Sequence, residues 1–233
     1  TIIISASELL ITTDTLRNGK IDELYGQILA ASGGTGTYTW AIVSGSLPEG
    51  LTLDSVSGQI TGVPGTAGTY TFTVQVTDTD NPAQTAAREL ALIIYPPDLA
   101  ITTVSPLPDG TVGEAYSQNI NAQGGSADTW TWSVLSGSLP EGIDFLDFAE
   151  AGRVQGTPTE AGTFDFTVQV VDNTFTDLSD SKAFSLTINP AELAITTTTL
   201  PVGEQDVPYS QTVSVSGGTP PYHYSIYSGA LPT

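Results

Sequence analysis

Three tetrapeptides, Leu10-Ile-Thr-Thr13, Ala100-Ile-Thr-Thr103 and Ala194-Ile-Thr-Thr197, recur 90 and 94 residues apart in a chain of 233 residues. That period is too long for one unit of a solenoid and suits a whole β-sandwich domain. Other landmarks keep step. Gly33-Gly34, Gly124-Gly125 and Gly217-Gly218 precede the aromatic stretches Tyr38-Thr-Trp40, Trp130-Thr-Trp132 and Tyr222-His-Tyr224. The heptapeptide SGSLPEG follows at Ser44 to Gly50 and again at Ser136 to Gly142, and SGALPT opens a third copy at Ser228. A Gly-x-Ile/Val-x-Gly-x-Pro turn comes next, at Gly58 to Pro64 and Gly152 to Pro158.

Alternation within the stretches assigns their faces. Tyr38, Trp40 and Ile42 share one side, as do Trp130, Trp132 and Val134, and Tyr222, Tyr224 and Ile226; period-two spacing turns each set toward a core. Tyr70, Phe72, Val74 and Val76 repeat the pattern, and Phe164 to Val170 repeats it again with Phe166 inside. Trp40, Phe72, Trp132, Phe166 and Tyr224 are therefore the expected core aromatics. About seven short strands per unit, separated by Gly and Pro turns, predict an all-β chain of tandem Greek-key sandwiches. SGSLPEG is expected to end the aromatic core strand and turn the chain toward the next one.

The ordered series Leu-Pro-x-Gly, Gly-x-Ile-x-Gly-x-Pro, Gly-x-Tyr-x-Phe-x-Val-x-Val-x-Asp, complete from Ser44 to Asp78, resembles the Ig-like repeats of bacterial surface proteins, which are close to dystroglycan-type cadherin-like domains. The resemblance spans two whole units and the opening of a third. Unit two departs from the series at Ile143-Asp-Phe-Leu-Asp-Phe-Ala-Glu-Ala-Gly152, which adds residues and three acids. Boundaries are expected at residues 1–7 for the last strand of a preceding repeat, 8–97 and 98–190 for two full repeats, and 191–233 for the first half of a third. On this reading the chain is a window onto a longer array, or a second chain supplies what the third repeat lacks. The linkers Tyr95-Pro-Pro-Asp98 and Asn189-Pro-Ala-Glu192 are short and stiffened by proline.

Charge excludes several functions. Five Lys plus Arg against 25 Asp plus Glu give a formal net charge of −20, which repels nucleic acid and anionic membranes. No apolar run approaches the roughly 18 residues of a membrane span. The chain has no Cys and a single histidine, His223, on an outward register, so zinc and a nucleophile–base pair have no ligands or partners to use. No enzymatic machinery is expected.

Calcium suits the acids better, because it collects six to eight oxygens from loop carboxylates and carbonyls. Strand alternation places Asp78, Asp80 and Asp172 in loops at the leading end of a unit. Glu49 and Glu141 fall at the trailing end, beside the linker acids Asp98 and Glu192. The cadherin-like resemblance implies that a junction gathers carboxylates of this kind around Ca2+. A second explanation of the acidity, solubility in high salt, stays open beside it. Lys182, with Arg88 at the equivalent place, lies on the inward register of a closing strand; a rim cation facing the acidic loop and a Lys–Asn cross-link are the two readings.

The resulting expectation is a non-catalytic structural and adhesive array of an extracellular or cell-surface microbial protein or filament, a stiff stalk with calcium at its junctions. Its partners would be other copies or neighbouring repeats and cell-surface glycans or proteins, without nucleic acid or membrane insertion. The alternative is a carbohydrate-binding accessory module of a secreted polysaccharide-degrading enzyme, with outward Tyr227 as an exposed ring.

Overall fold

The computed structural model describes residues 7–126, 130–148 and 150–231. Residues 1–6 of the closing strand expected at 1–7 lie outside the described residues. Two compact units emerge: Thr1–Ala100 with Gln123–Thr129 and Asp172–Leu178, and Ile101–Ala122 with Trp130–Val171 and Ser179–Thr233. Every described regular element is a strand.

The first repeat holds β1 (Ser7–Ile11), β2 (Gly19–Lys20), β3 (Tyr25–Ile28), β4 (Ala31–Gly34), β5 (Tyr38–Gly45), β6 (Leu51–Leu53), β7 (Gln59–Gly62), β8 (Gly68–Asp78) and β9 (Thr85–Tyr95). A four-stranded sheet β2-β9-β8-β5 faces a three-stranded sheet β3-β7-β6, and β1 pairs with β4 as a separate ribbon. The opening stretch thus divides between two partners: β1 runs antiparallel to β4, whereas β2 lies parallel to β9. This division, and the short pieces β3 and β4, raise the strand count above the seven expected.

Burial follows the alternation. Along β8, Phe72, Val74 and Val76 are buried while Thr69 and Thr71 are exposed, and Leu90, Leu92 and Ile94 of β9 join the same core. Full burial of each such side chain contributes roughly 1.5–3 kcal/mol before entropy is counted. Trp40 fills the space between the sheets. Its indole fits because residue 58 is glycine: a Cβ there would sit 2.8 Å from the Trp40 Nε1. The heptapeptide does turn the chain between β5 and β6. Gly50 adopts φ +89°, and a side chain there would strike the Val63 carbonyl.

The second repeat copies this order with β10 (Ala100–Ile101), β11 (Gly110–Thr111), β12 (Tyr116–Ile120), β13 (Ala122–Gln123), β14 (Trp130–Gly137), β15 (Ile143–Phe148), β16 (Ala151–Gly156), β17 (Gly162–Asp172) and β18 (Ser179–Asn189). Its sheets are β11-β18-β17-β14 and β12-β16-β15, with the β10-β13 ribbon. Trp132, Phe166 and Phe184 are buried, and Gly152 makes room for Phe145 and Trp132 as Gly58 does for Trp40. The added residues of this repeat lengthen β15 to six residues where β6 has three. The extension also changes a bond. The Trp40 backbone N–H donates to the Ser55 carbonyl at 2.8 Å, whereas the Trp132 backbone N–H donates to the Asp147 carboxylate at 3.1 Å.

In the third repeat, β19 (Ala194–Ile195) and β20 (Val215–Ser216) form a ribbon equivalent to β1-β4. The core assignment of Tyr224 is corrected here. The residue is 58% exposed, because inward alternation buries a ring only where a facing sheet covers it, and a lone two-stranded ribbon offers none.

Replacing Phe72 by Ala is expected to lower the stability of the first repeat by about 3–5 kcal/mol, read from the midpoint of its urea transition. Val56→Ala, at a position 78% exposed, is the matched control and should change stability by no more than about 0.5 kcal/mol.

Candidate functional site

The inward face of β8 ends on a carboxylate. Asp78 continues the Phe72, Val74, Val76 register and is 0% exposed, and Asp172 at the end of β17 is the same. These two are the only buried charged residues described. A carboxylate taken out of water must find donors. The Asp78 Oδ2 accepts the Thr35 N–H at 2.6 Å, and its Oδ1 accepts the Thr35 hydroxyl at 2.7 Å and the Asp80 and Asn81 N–H groups at 3.0 and 3.1 Å. Asp172 is held by the Ser126 N–H and hydroxyl and by the Thr174 and Phe175 N–H groups. Each carboxylate therefore clasps the loop after β4 or β13 to the loop after its own strand.

The paired glycines make this approach feasible. A Cβ at Gly34 would run into the Asp78 carboxylate, and one at Gly33 into the Glu8 carbonyl; both glycines have positive φ. Behind them, the Tyr38 hydroxyl donates to the Gly33 carbonyl at 2.7 Å, and Tyr222 repeats the bond to Gly217 at 2.7 Å. Thr35 and Ser126 were not singled out from sequence. A signal for them exists: Gly-Gly-Thr35, Gly-Gly-Ser126 and Gly-Gly-Thr219 each place a short hydroxyl residue after the glycines.

Electrostatics follow from these donors. The Thr35 hydroxyl, assisted by the three N–H groups, holds the Asp78 carboxyl below the usual range against the opposing effect of burial. At Asp172 burial pushes upward most strongly. The N–H groups of Ser126, Phe175 and Thr174 and the Ser126 hydroxyl outweigh it, and the net direction is again downward.

Several of the seven acids expected to hold calcium have other partners within their own repeat. Asp78 and Asp172 present their oxygens to four N–H or O–H donors each, so a cation would have to displace donors that already compensate the charge. Asp98 instead meets the Lys20 ammonium at 2.8 Å, and this bond holds the ammonium above its ordinary pKa. Asp80, Glu49, Glu141 and Glu192 have exposed side chains, and the carbonyls of Glu49 and Glu141 accept the N–H groups of Gly65 and Thr159. Among the described residues, no three His, Asp or Glu side chains form a group that could hold a metal ion.

The inward cations of the closing strands serve the opening strands. The Arg88 Nη1 donates to the Ile11 carbonyl at 3.1 Å, and its Nη2 lies 2.6 Å from the Asp14 carboxylate. The Lys182 Nζ donates to the Ile101 carbonyl at 3.4 Å, while the Asp180 carboxylate accepts the Ile101 N–H at 2.7 Å. These contacts tie each closing strand to the opening strand of its own repeat. His223 is exposed. No helix among the described residues is long and apolar enough to cross a membrane.

The repeats thus define a class: tandem β-sandwiches whose buried polar side chains are committed to holding loops and strands. The chain belongs to the family described as "Putative Ig domain", whose model matches residues 9–91 and 99–189. Among solved structures, the extracellular domains 3–5 of Drosophila OTK align over 75% of this chain and 59% of that one, at 16% identity and a TM-score of 0.50. Sidekick-1 immunoglobulin domains 1–4 align over 81% and 51%, at 16% identity and 0.48. The protocadherin GammaB4 extracellular domain aligns over 78% and 34%, at 16% identity and 0.40. The chain therefore spans only about a third of the protocadherin and half of the Sidekick-1 chain. No curated protein matches the sequence.

Because the two clasped carboxyls have lowered folded-state pKa values, their contribution is complete above the unfolded Asp value of about 3.9. It is lost as pH falls through the lowered values. Melting temperature should hold nearly level from neutral pH down to about 4 and fall below it. Asp78→Asn, which aims an amide at donors, should melt lower at pH 7 and show a shallower acid decline, followed by circular dichroism across pH.

Proposed function

We propose that the chain is a non-catalytic spacer of an extracellular microbial surface protein or filament, in which repeated sandwiches hold adhesive or anchoring parts apart. The observation that supports this reading is the duplication of one self-contained sandwich, each copy with its own core and carboxylate clasp. The connections Tyr95-Pro-Pro-Asp98 and Asn189-Pro-Ala-Glu192 are too short and too proline-bound for long flexible excursions. The partners on this reading are neighbouring repeats.

The proposal does not rest on calcium, because Asp78 and Asp172 already meet donors within their own repeats. The carbohydrate-binding alternative draws on exposed rings, of which Tyr209, Tyr224 and Tyr227 lie in the third repeat.

Two measurements test the reading. Adding four glycine-serine pairs between Pro97 and Asp98 should lower the persistence of the chain in small-angle scattering, and glycan arrays should stay blank. Reproducible glycan binding lost on Tyr227→Ala would replace the spacer with the carbohydrate-binding module. Exchange of EDTA for calcium at low ionic strength should leave the melting temperature unchanged. One site filled at a hundredfold Kd would add about 2.7 kcal/mol, so an upward shift would restore the calcium-stiffened stalk.

A further inference from the structure

We propose that the third repeat carries a socket for an isoleucine-bearing strand, and that residues 1–5 of a second copy of this chain fill it and so join the two copies. The spacer reading needs no contact between copies, so the two stand or fall separately.

The first two repeats show what such a socket holds. Gly19 lies opposite Ile94 where β2 runs parallel to β9, and Gly110 lies opposite Ile188 where β11 runs parallel to β18. The glycine admits the isoleucine. A Cβ at Gly19 would sit 2.7 Å from the Ile94 Cδ1 and 3.1 Å from the Tyr25 ring, and Gly110 repeats both distances with Ile188 and Tyr116. A backbone bond completes the contact, from the Ile21 N–H to the Tyr95 carbonyl and from the Val112 N–H to the Asn189 carbonyl, each at 2.9 Å.

The third repeat has the receiving half of this arrangement. A Cβ at Gly203 would again meet a tyrosine, Tyr209, at 3.1 Å, but its three nearest atoms all belong to that ring and no isoleucine methyl is among them. The tyrosine is already posed: its hydroxyl donates to the Pro201 carbonyl at 2.7 Å, as Tyr116 donates to Pro108 at 2.9 Å. Gln205 stands where Ile21 and Val112 do, and its N–H has no backbone partner among the described residues. Leu200 is 51% and Tyr209 49% exposed, whereas their counterparts Leu16 and Tyr25 are buried. An apolar surface opened in this way marks a contact.

The sequence supplies the strand. Ile94 and Ile188 stand six residues ahead of the landmarks at Ala100 and Ala194, and Ile4 stands six ahead of Leu10. Alternation sets Ile2 on the side of Ile4, as it sets Leu92 on the side of Ile94. Residues 1–7 contain no charged side chain, nor does Leu200 to Gly203, so this strand approaches that surface with less repulsion than most of a chain of −20 would meet. Parallel addition would seat Ile4 against Gly203 and offer the Ser5 carbonyl to the Gln205 N–H. Plug and socket are different surfaces, which makes the contact heterologous.

In sedimentation velocity at high ionic strength, where mutual repulsion is screened, the 233-residue chain should form concentration-dependent oligomers. Ile4→Asp spoils the plug, and Gly203→Ala sets a methyl where the isoleucine enters; each should weaken association at least about tenfold. Val56→Asp, the same charge change at an exposed position, should leave it within about twofold. Complementation is the sharper outcome. Ile4→Asp retains the socket and Gly203→Ala the plug, so the two variants mixed should form a one-to-one complex and stop there, with circular dichroism reporting that each is folded. A monomeric native chain, oligomers indifferent to both variants, or a mixture that does not complement would overturn the proposal. So would oligomers that Tyr224→Asp dissolves and Ile4→Asp does not, because third repeats would then pair with one another.

Discussion

A buried carboxylate answered by N–H and O–H groups is the interaction on which each complete sandwich closes. Asp78 and Asp172 stand at the last inward position of the longest core strands, where the apolar face meets the loops. None of the described ion pairs involves either of them. Compensation comes from backbone N–H groups and one hydroxyl at each, and that requirement fixes two loops at once. It also dictates sequence far away: the oxygens of Asp78 can reach the Thr35 N–H only past a residue without a Cβ. Losing any one donor would leave part of a buried charge unanswered, which costs more than the same bond contributes when made.

The core Trp imposes the complementary condition in the middle of the sandwich. Its indole crosses the space between sheets and is accommodated by glycine, Gly58 in one repeat and Gly152 in the other. The backbone N–H of the same residue needs an acceptor at the rim, supplied by a turn carbonyl in one case and by Asp147 in the other. The substitution of a side chain for a carbonyl lets β15 grow without loss of that bond. Variation is thus admitted where an acceptor can be exchanged, and the clasp, which uses four donors together, is conserved between the two repeats in kind if not in sequence.

Much of this was legible in the sequence because alternation is a local property. Phe72, Val74 and Val76 announce a buried face within seven residues of one another, and the period of the landmarks gives the repeats. The donors to Asp78 and Asp172 were not legible in the same way, since Thr35 and Ser126 lie 43 and 46 residues from them. An acid at a strand end reads equally as a cation ligand and as a loop clasp until its neighbours are placed. The partner of Asp98, Lys20, is remote in sequence in the same way. Tyr224 shows the converse limit. Its alternation matches that of Trp40, yet burial depends on a facing sheet, and the β19-β20 ribbon does not provide one.

The division of the acids bears on why the chain is so acidic. Those that matter to closure are compensated by neutral dipoles at bonding distance, which mobile ions screen little. The described ion pairs, Lys20 with Glu23 and Asp98 and Arg88 with Asp14, have exposed carboxylate partners and are of the kind that contributes about 0–1 kcal/mol and fades with salt. Most other acids repel one another across the surface, and screening reduces that repulsion. Added salt therefore removes a destabilising interaction and takes away little that stabilises. A surface excess of carboxylate is compatible with this fold in strong electrolyte without a bound cation, because the buried charges carry their compensation within the chain.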